Sequence, residues 1–209
     1  MRVGLRKIAG ELREAWTYIL GSTWLLSTIV IPAFGNAAFG GAMLVTLPKL
    51  IEDVYGGEVW LIGAVVTCIA LGRISAAFFV GQFHLPHRGS LAFCADILAS
   101  LALLTFGLPL PDTLRPVLAL GAGALYGFGG GTFQTIWVTL LHELVPNEKL
   151  GRVASIDLLG SFCLQPVGFA VAGIVADGVG PSLVFIGAGT MNLLLYSLPL
   201  LLRGIREVQ

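Results

Sequence analysis

Six long apolar stretches, separated by short segments that hold most of the charged residues, dominate this sequence. Each is about 20 residues long or more, which is the length of α-helix needed to cross a bilayer core of roughly 30 Å. A backbone within lipid must satisfy its own hydrogen bonds, so each stretch is predicted to be a helix. The predicted spans are residues 22–46, 59–82, 89–109, 116–141, 153–175 and 182–202. The sequence therefore predicts an all-α polytopic membrane protein surrounded by a lipid bilayer.

The overall composition agrees with a membrane protein. Of the 209 residues, 56% are hydrophobic and 11% are charged, whereas about 25% of the residues in an ordinary soluble domain are charged. The formal net charge is zero, so the chain lacks the positive field that attracts nucleic acids. No nucleic-acid partner is predicted.

The basic residues predict how the chain lies in the membrane, because lysine and arginine favour cytoplasmic segments. Nine of the twelve fall on one side, whereas the other side has only Lys49 and Arg115, and Arg73 lies within a span. Both termini are therefore predicted to be cytoplasmic. The predicted organisation is a cytoplasmic or interfacial amphipathic linker helix at residues 1–20, a six-helix bundle at 21–202 and a cytoplasmic tail at 203–209.

A glycine-rich stretch, "GAGALYGFGGGTF" at residues 121–133, allows two interpretations. A phosphate-binding loop would need a preceding strand and usually a following lysine, but the stretch continues an apolar run in both directions. Within a membrane helix, glycines four residues apart lie on one face and let a second helix approach closely. Gly123, Gly127 and Gly131 are therefore predicted to form a helix-packing surface.

Three ionisable residues lie within predicted spans, where each is costly unless it is paired or hydrated. Arg73 and Asp96 lie at similar distances from the loop between the second and third spans, so an ion pair between them is expected. That pair could tie two helices together or take part in moving a proton or a solute. Asp157 could be stabilised by the dipole of a nearby helix amino terminus, or it could face a cavity and bind a cation or a proton.

Enzymatic constellations are not found, and no enzymatic activity, cofactor or metal site is predicted. His84 and His87 lie close in sequence, but no third metal ligand accompanies them. Uncharged polar side chains at mid-span are more informative, because such groups tend to face partner helices or a cavity. They are Asn36, Gln134, Trp137, Gln165 and Asn192. Gln165 and the following Pro166 also favour a local opening of the helix backbone.

The segment "TLLHELVPNEKLGRVASIDLLGSFCLQPVGFAVAGIVADGVGP", residues 139–181, resembles part of the carboxyl-terminal half of major facilitator superfamily transporters. The "ELVP" and "LGRVASIDLLGS" elements are similar to those of bacterial drug, macrolide and siderophore exporters. In addition, "GLRKIAGELREAWTYILGSTWLL" resembles the family's central linker entering its seventh helix, and "GQFHLPHRG" resembles its inter-helix loop motif. The resemblance covers nearly the whole chain.

This resemblance implies one six-helix half of a proton-coupled exporter of small amphiphilic molecules in the bacterial inner membrane. It places spans one, two, four and five around the solute path and spans three and six at the periphery. The implied path residues are Asn36, Arg73, Gln134, Trp137 and Gln165, and a peripheral third span favours a structural role for Asp96. The intramembrane charges Arg73, Asp96 and Asp157 remain the charge and coupling candidates because of their place within the spans. The partner is expected to be a separate half or a second copy, although the loop "GQFHLPHRG" lacks the acidic residue that a self-sufficient homodimer would need. The alternatives are a truncated, non-transporting fragment and a six-helix membrane protein of another class.

Overall fold

The computed structural model describes residues 13–83 and 86–201, and every regular element within these ranges is helical. Residues 13–20 are helical and precede the bundle. The helices of the bundle are α1 (Thr23–Gly40), α2 (Leu47–Asp53), α3 (Trp60–Gln82), α4 (Arg88–Thr105), α5 (Arg115–Leu144), α6 (Asn147–Cys163), α7 (Gln165–Val179) and α8 (Pro181–Ser197). A π-helical segment, Gly41–Thr46, joins α1 to α2, and a 3-10 turn, Leu198–Leu201, follows α8. The all-helical fold predicted from the sequence is confirmed.

Five segments of the described chain are long and apolar enough to cross a membrane, and they coincide with five of the six predicted spans. They are Thr23–Asp53, Trp60–Gln82, Arg88–Gly107, Asn147–Val179 and Pro181–Leu201. The remaining predicted span lies in α5, a helix of 30 residues, which corresponds to about 45 Å. Its many glycines lower its mean hydropathy, and it is packed between α3 and α4. A helix covered by protein needs less apolar surface than one that faces lipid.

Neighbouring helices of the bundle pack in the order α3, α5, α4, α8 and α1, with α6 and α7 against α1. Smaller contacts also link α5 to α6 and α2 to α3. Only 22% of the most apolar window of α3, and 6% of that of α6–α7, is buried. Among the five apolar segments, α3 and the α6–α7 pair are therefore the least covered by protein.

Ion pairs fix the two ends of the bundle. At one end, the Arg88 guanidinium lies 2.8 Å and 3.0 Å from the two carboxylate oxygens of Glu143. At the same end, Lys149 Nζ lies 3.0 Å from Glu14 Oε1, and the hydrogen bond donated by Lys149 lowers the pKa of the exposed Glu14 carboxyl. At the opposite end, Lys49 pairs with Asp177. The residues that the charge count assigned to opposite sides of the membrane thus lie at opposite ends of the bundle.

The glycine-rich part of α5 lies against α3. Gly123, Gly127 and Gly131 face the backbone of α3 at Val65, Ile69 and Arg73. A Cβ atom added at Gly123 would lie 3.1 Å from the Val65 carbonyl oxygen, and one added at Gly131 would lie 2.9 Å from the Arg73 Cα. Because both sets of residues advance by four, the two helices run parallel and remain in contact over about two turns.

The fifth predicted span is not one continuous helix. It is interrupted at Leu164, between α6 and α7, and Pro166 occupies the first turn of α7. Proline has no backbone N–H and its ring crowds the preceding turn, so it favours a kink or a break in a helix. The opening predicted at Gln165 and Pro166 is therefore confirmed.

Candidate functional site

A cavity of about 430 Å³ lies between the helices of the bundle. Along α4, the lining residues Asp96 and Ser100 fall between Phe93, which belongs to one apolar cluster, and Leu103, which belongs to the other. The same order holds along the first span, where Asn36 lies between Ile29 of α1 and Met43 of the following π-helical segment. The cavity therefore occupies the middle of the spans, with apolar packing on both sides of it.

The residues predicted for the solute path are largely brought together. Asn36, Arg73, Gln134 and Trp137 line the cavity. Gln165 does not; it is the first residue of α7, directly after the interruption at Leu164. The structure thus places four of the five candidates at one site, and Gln165 at the helix break.

All three intramembrane charges, Arg73, Asp96 and Asp157, line this same cavity. The expected direct ion pair between Arg73 and Asp96 is not formed: the ion pairs within 4.0 Å among the described residues involve other groups. Asp96 is instead close to the Tyr196 hydroxyl, which can donate a hydrogen bond to its carboxylate, and Arg73 acts on it from farther away. Arg73 and Asp96 therefore share the cavity without forming a direct ion pair.

Asp157 is held by a neighbouring helix. The indole N–H of Trp137 donates a hydrogen bond of 3.2 Å to Asp157 Oδ2, and the Trp24 ring packs edge-on against Trp137 with centroids 5.4 Å apart. Because α6 begins at Asn147, Asp157 lies about 15 Å from the start of that helix. The helix dipole acts within the first turn, so the cavity interpretation of Asp157 is the one that the geometry supports.

The structure adds lining residues that the resemblance did not imply. Spans three and six were expected to be peripheral, yet α4 contributes Asp96 and Ser100, and α8 contributes Asn192 and Tyr196. Each pair is separated by four residues, the spacing of one helix face. This spacing of polar groups within two apolar spans was the signal that could have identified these lining residues. The family resemblance pointed away from them, because it placed both spans at the periphery.

Asn192 is buried, and only one of the two polar atoms of its side-chain amide has a hydrogen-bond partner. Its Nδ2 donates a hydrogen bond of 3.4 Å to the carbonyl oxygen of Gly35, whereas its Oδ1 has no hydrogen-bond partner. Glycine is required at position 35, because a Cβ atom there would lie 2.6 Å from the Tyr196 hydroxyl oxygen. The Gly35 position thus fixes both Asn192 and the Tyr196 ring.

No group of three or more potential metal ligands is found within residues 13–83 and 86–201. His84, one of the two histidines noted in the sequence, lies outside the described residues. The cavity is lined by amide, hydroxyl, carboxyl and guanidinium groups, which can form hydrogen bonds and ionic contacts.

The family model of the Major Facilitator Superfamily matches residues 3–156 of the chain. Comparison with curated proteins and with solved structures gave no significant match. The matched region covers most of the chain and includes four of the six spans together with Arg73, Asp96 and Trp137. On this evidence the chain belongs to the major facilitator superfamily, a family of membrane transporters.

Proposed function

We propose that this chain is one six-helix half of a secondary transporter that exports small amphiphilic molecules in exchange for protons. The observation that carries the proposal is the mid-membrane cavity that holds Arg73, Asp96 and Asp157 together. Ionisable groups within a membrane protein are costly to keep there, and they typically mark the path of a solute or proton.

The lining favours an amphiphilic solute. Aromatic and apolar side chains, including Phe133, Trp137 and Phe162, alternate with the polar groups of Asn36 and Gln134. The volume of about 430 Å³ falls within the range of roughly 300–1,000 Å³ that is usual for small-molecule sites. An apolar body with one or two polar groups matches such walls.

Proton coupling is proposed for the two carboxyl groups. Asp96 and Asp157 lie on different helices of the cavity wall, and each has a side-chain hydrogen-bond donor beside it: Tyr196 for Asp96, and Trp137 for Asp157. Taking up a proton would change the charge that a bound solute meets. Differential affinity of this kind is what a coupled transporter needs.

Exposed apolar surface on two helices favours a partner. Large apolar side chains are exposed on α3 and α6, namely Ile74 and Phe78 on α3 and Leu159 on α6. A second six-helix unit, either a separate half or another copy of this chain, would close the cavity against lipid. The proposed location is the bacterial inner membrane, with both termini in the cytoplasm. A truncated fragment that keeps the fold without transporting is the alternative.

The test is movement of a fluorescent amphiphilic dye in vesicles that contain the purified chain under an imposed proton gradient. We expect gradient-dependent movement, and we expect the rate to fall about tenfold in Arg73→Ala, corresponding to about 1.4 kcal/mol of lost interaction. Arg13→Ala is the matched control, because Arg13 is an exposed arginine outside the cavity. Its rate should equal that of the unmodified chain.

Absence of dye movement from folded, correctly inserted chain would contradict activity of this half by itself. The fragment alternative would then be favoured unless addition of a second six-helix unit restored transport. Equal losses in Arg73→Ala and Arg13→Ala would instead show that the arginine in the cavity has no particular role.

A further inference from the structure

The two halves of the interrupted fifth span are held on the bundle in different ways. The second half, α7, packs backbone against backbone on the first span. A Cβ atom added at Gly168 would lie 2.7 Å from the Ala37 carbonyl carbon, and one added at Gly41 would lie 2.6 Å from the Gly168 carbonyl oxygen. Lys49 also pairs with Asp177, near the end of α7. Such close backbone contacts leave α7 little freedom to move on the first span.

The first half, α6, is covered much less. Val153 is the one buried residue of this helix, which the structure describes in full. The glycine contact of α6 with α1 involves a side chain, since a Cβ atom added at Gly160 would lie 3.1 Å from Ile29 Cγ2. Lys149, in the first turn, pairs with the exposed Glu14, and an exposed ion pair contributes little to stability. The packing of α6 can therefore adjust, whereas that of α7 cannot.

The loosely packed helix nevertheless supplies part of the cavity wall. Asp157, Leu158, Ser161 and Phe162 line the cavity, and their spacing places them on one face of α6. Helix α5 lines the cavity as well, yet α5 and α6 make few contacts with each other. A displacement of α6 would therefore change the width of the cavity directly.

A hydrogen bond joins α6 to α5 at this wall. The indole N–H of Trp137 donates to Asp157 Oδ2 over 3.2 Å. The donor is held in place, because Trp137 is buried and the Trp24 ring packs against it with centroids 5.4 Å apart. The acceptor lies on the loosely packed helix, about 10 Å along its axis from the interruption at Leu164. The hydrogen bond thus connects a fixed donor to an acceptor that can move.

We propose that α6 is a movable wall of the cavity, which swings about the interruption at Leu164 and is held closed by the Trp137–Asp157 hydrogen bond. Helix α7 stays in place on the first span during this motion. Both partners of the hydrogen bond line the cavity, so a molecule that hydrogen-bonds to either of them releases the wall. This device goes beyond the proposed transport function, because it is a property of the fold and needs neither a proton gradient nor a transported solute.

The test is a distance measurement by double electron–electron resonance on the full chain in lipid nanodiscs. Nitroxide labels are attached to pairs of introduced cysteines, after the native cysteines have been replaced by serine. Ser75→Cys with Ser155→Cys reports on α6 relative to α3, and Ser75→Cys with Ile174→Cys reports on α7 relative to α3; all three positions are exposed. Position 155 lies about 14 Å from Leu164, so a tilt of roughly 20°, the lower limit of a sharp kink, would move it by about 5 Å.

We expect one narrow distance distribution for each pair when no other residue is changed. Trp137→Phe removes the donor and keeps an aromatic ring. It should add a second α3–α6 distance, shifted by about 5 Å, and leave the α3–α7 distance unchanged. Asp157→Asn is the matched control, because an amide oxygen still accepts the indole N–H. This variant should keep the single distance, whereas Asp157→Leu should behave as Trp137→Phe does.

Pro166→Ala tests the hinge. Alanine restores a backbone N–H directly after the interruption and removes the proline ring, so the helix can continue through this position. When Pro166→Ala is combined with Trp137→Phe, the α3–α6 distribution should return to a single distance. A second distance that persists in the combined variant would overturn the hinge at Leu164.

The remaining outcomes separate the movable wall from its alternatives. An unchanged α3–α6 distribution in Trp137→Phe, or in Asp157→Leu if Trp137→Phe does not fold, would overturn the proposal. Equal changes in the α3–α7 pair would also overturn it, because they would indicate a general loosening of the bundle. A second distance in Asp157→Asn as populated as in Asp157→Leu would rule out the hydrogen bond as the contact that holds the wall. Absence of dye transport with the expected distances would count against the transporter proposal alone.

Discussion

The hydrogen bond between Trp137 and Asp157 joins α5 to α6, two helices that otherwise touch little. Trp137 is 4% exposed, so most of its side chain is shielded from water. Hydrogen bonds to charged groups contribute more than neutral ones, about 1.5–3 kcal/mol. This single contact is therefore expected to matter for the wall of the cavity.

We predict a coupling energy of about 1–2 kcal/mol between Trp137→Phe and Asp157→Leu in a double-mutant cycle. The measurement is the free energy of unfolding of the two single variants and the double variant in detergent. Trp24→Phe is the control, since Trp24 packs on Trp137 by its ring. Its effect should add to that of Asp157→Leu, and additivity for Trp137 as well would contradict the contact.

At the residue scale, the sequence predicted the position of a side chain where the residue type alone restricts the environments that it can occupy. Arg73, Asp96 and Asp157 were expected to face the interior because lipid excludes charge, and all three line the cavity. Which groups they meet was not predictable. The Arg73 to Asp96 pair failed because depth along a helix says nothing about rotation around it, and rotation is set by packing partners distant in sequence.

At the scale of helices, the contact between α3 and α5 depends on the absence of side chains. Gly127 lies so close to the Ile69 carbonyl that a Cβ atom would overlap it. Both partners are backbone, which cannot move aside as a flexible side chain can. The helices would have to separate to accept even one methyl group.

We predict that Gly127→Ala lowers the free energy of unfolding by about 1–3 kcal/mol, the usual cost of overpacking. Gly121→Ala is the matched control on the same helix, because a Cβ atom there meets nothing within 4 Å. That variant should be neutral or slightly stabilising, since alanine is the better helix former. Equal effects of the two variants would contradict the packing role of the stripe.

Helix positions were predicted well because hydropathy alone marks them, and the glycine stripe was predicted because its four-residue spacing is a property of one helix. Hydropathy has no signal for the break within Asn147–Val179, where both halves are apolar. The signal there was Pro166, which limits the backbone whatever surrounds it.

At the scale of the whole molecule, the charge count predicts both termini in the cytoplasm, and labelling of single cysteines tests it. The native cysteines Cys68, Cys94 and Cys163 are free and are first replaced by serine. In intact cells, a membrane-impermeant maleimide should label Glu58→Cys but not Glu148→Cys, two exposed positions at opposite ends of the bundle. Permeabilised cells should show both labels, and the reverse pattern in intact cells would invert the proposed orientation.

The parallel contact of α3 and α5 also limits how this molecule can change shape. The contact repeats every four residues, which corresponds to about 6 Å along the helix axis. A smaller translation of one helix along the other would move the carbonyl groups of α3 away from Gly123 and Gly127, where the missing side chains leave space for them. The two helices are therefore expected to move as one unit. Arg73 moves with them, because its backbone packs against Gly131. A change of shape in the bundle is then expected at other places. The interruption at Leu164 is one of them, because the helix there is already broken between α6 and α7.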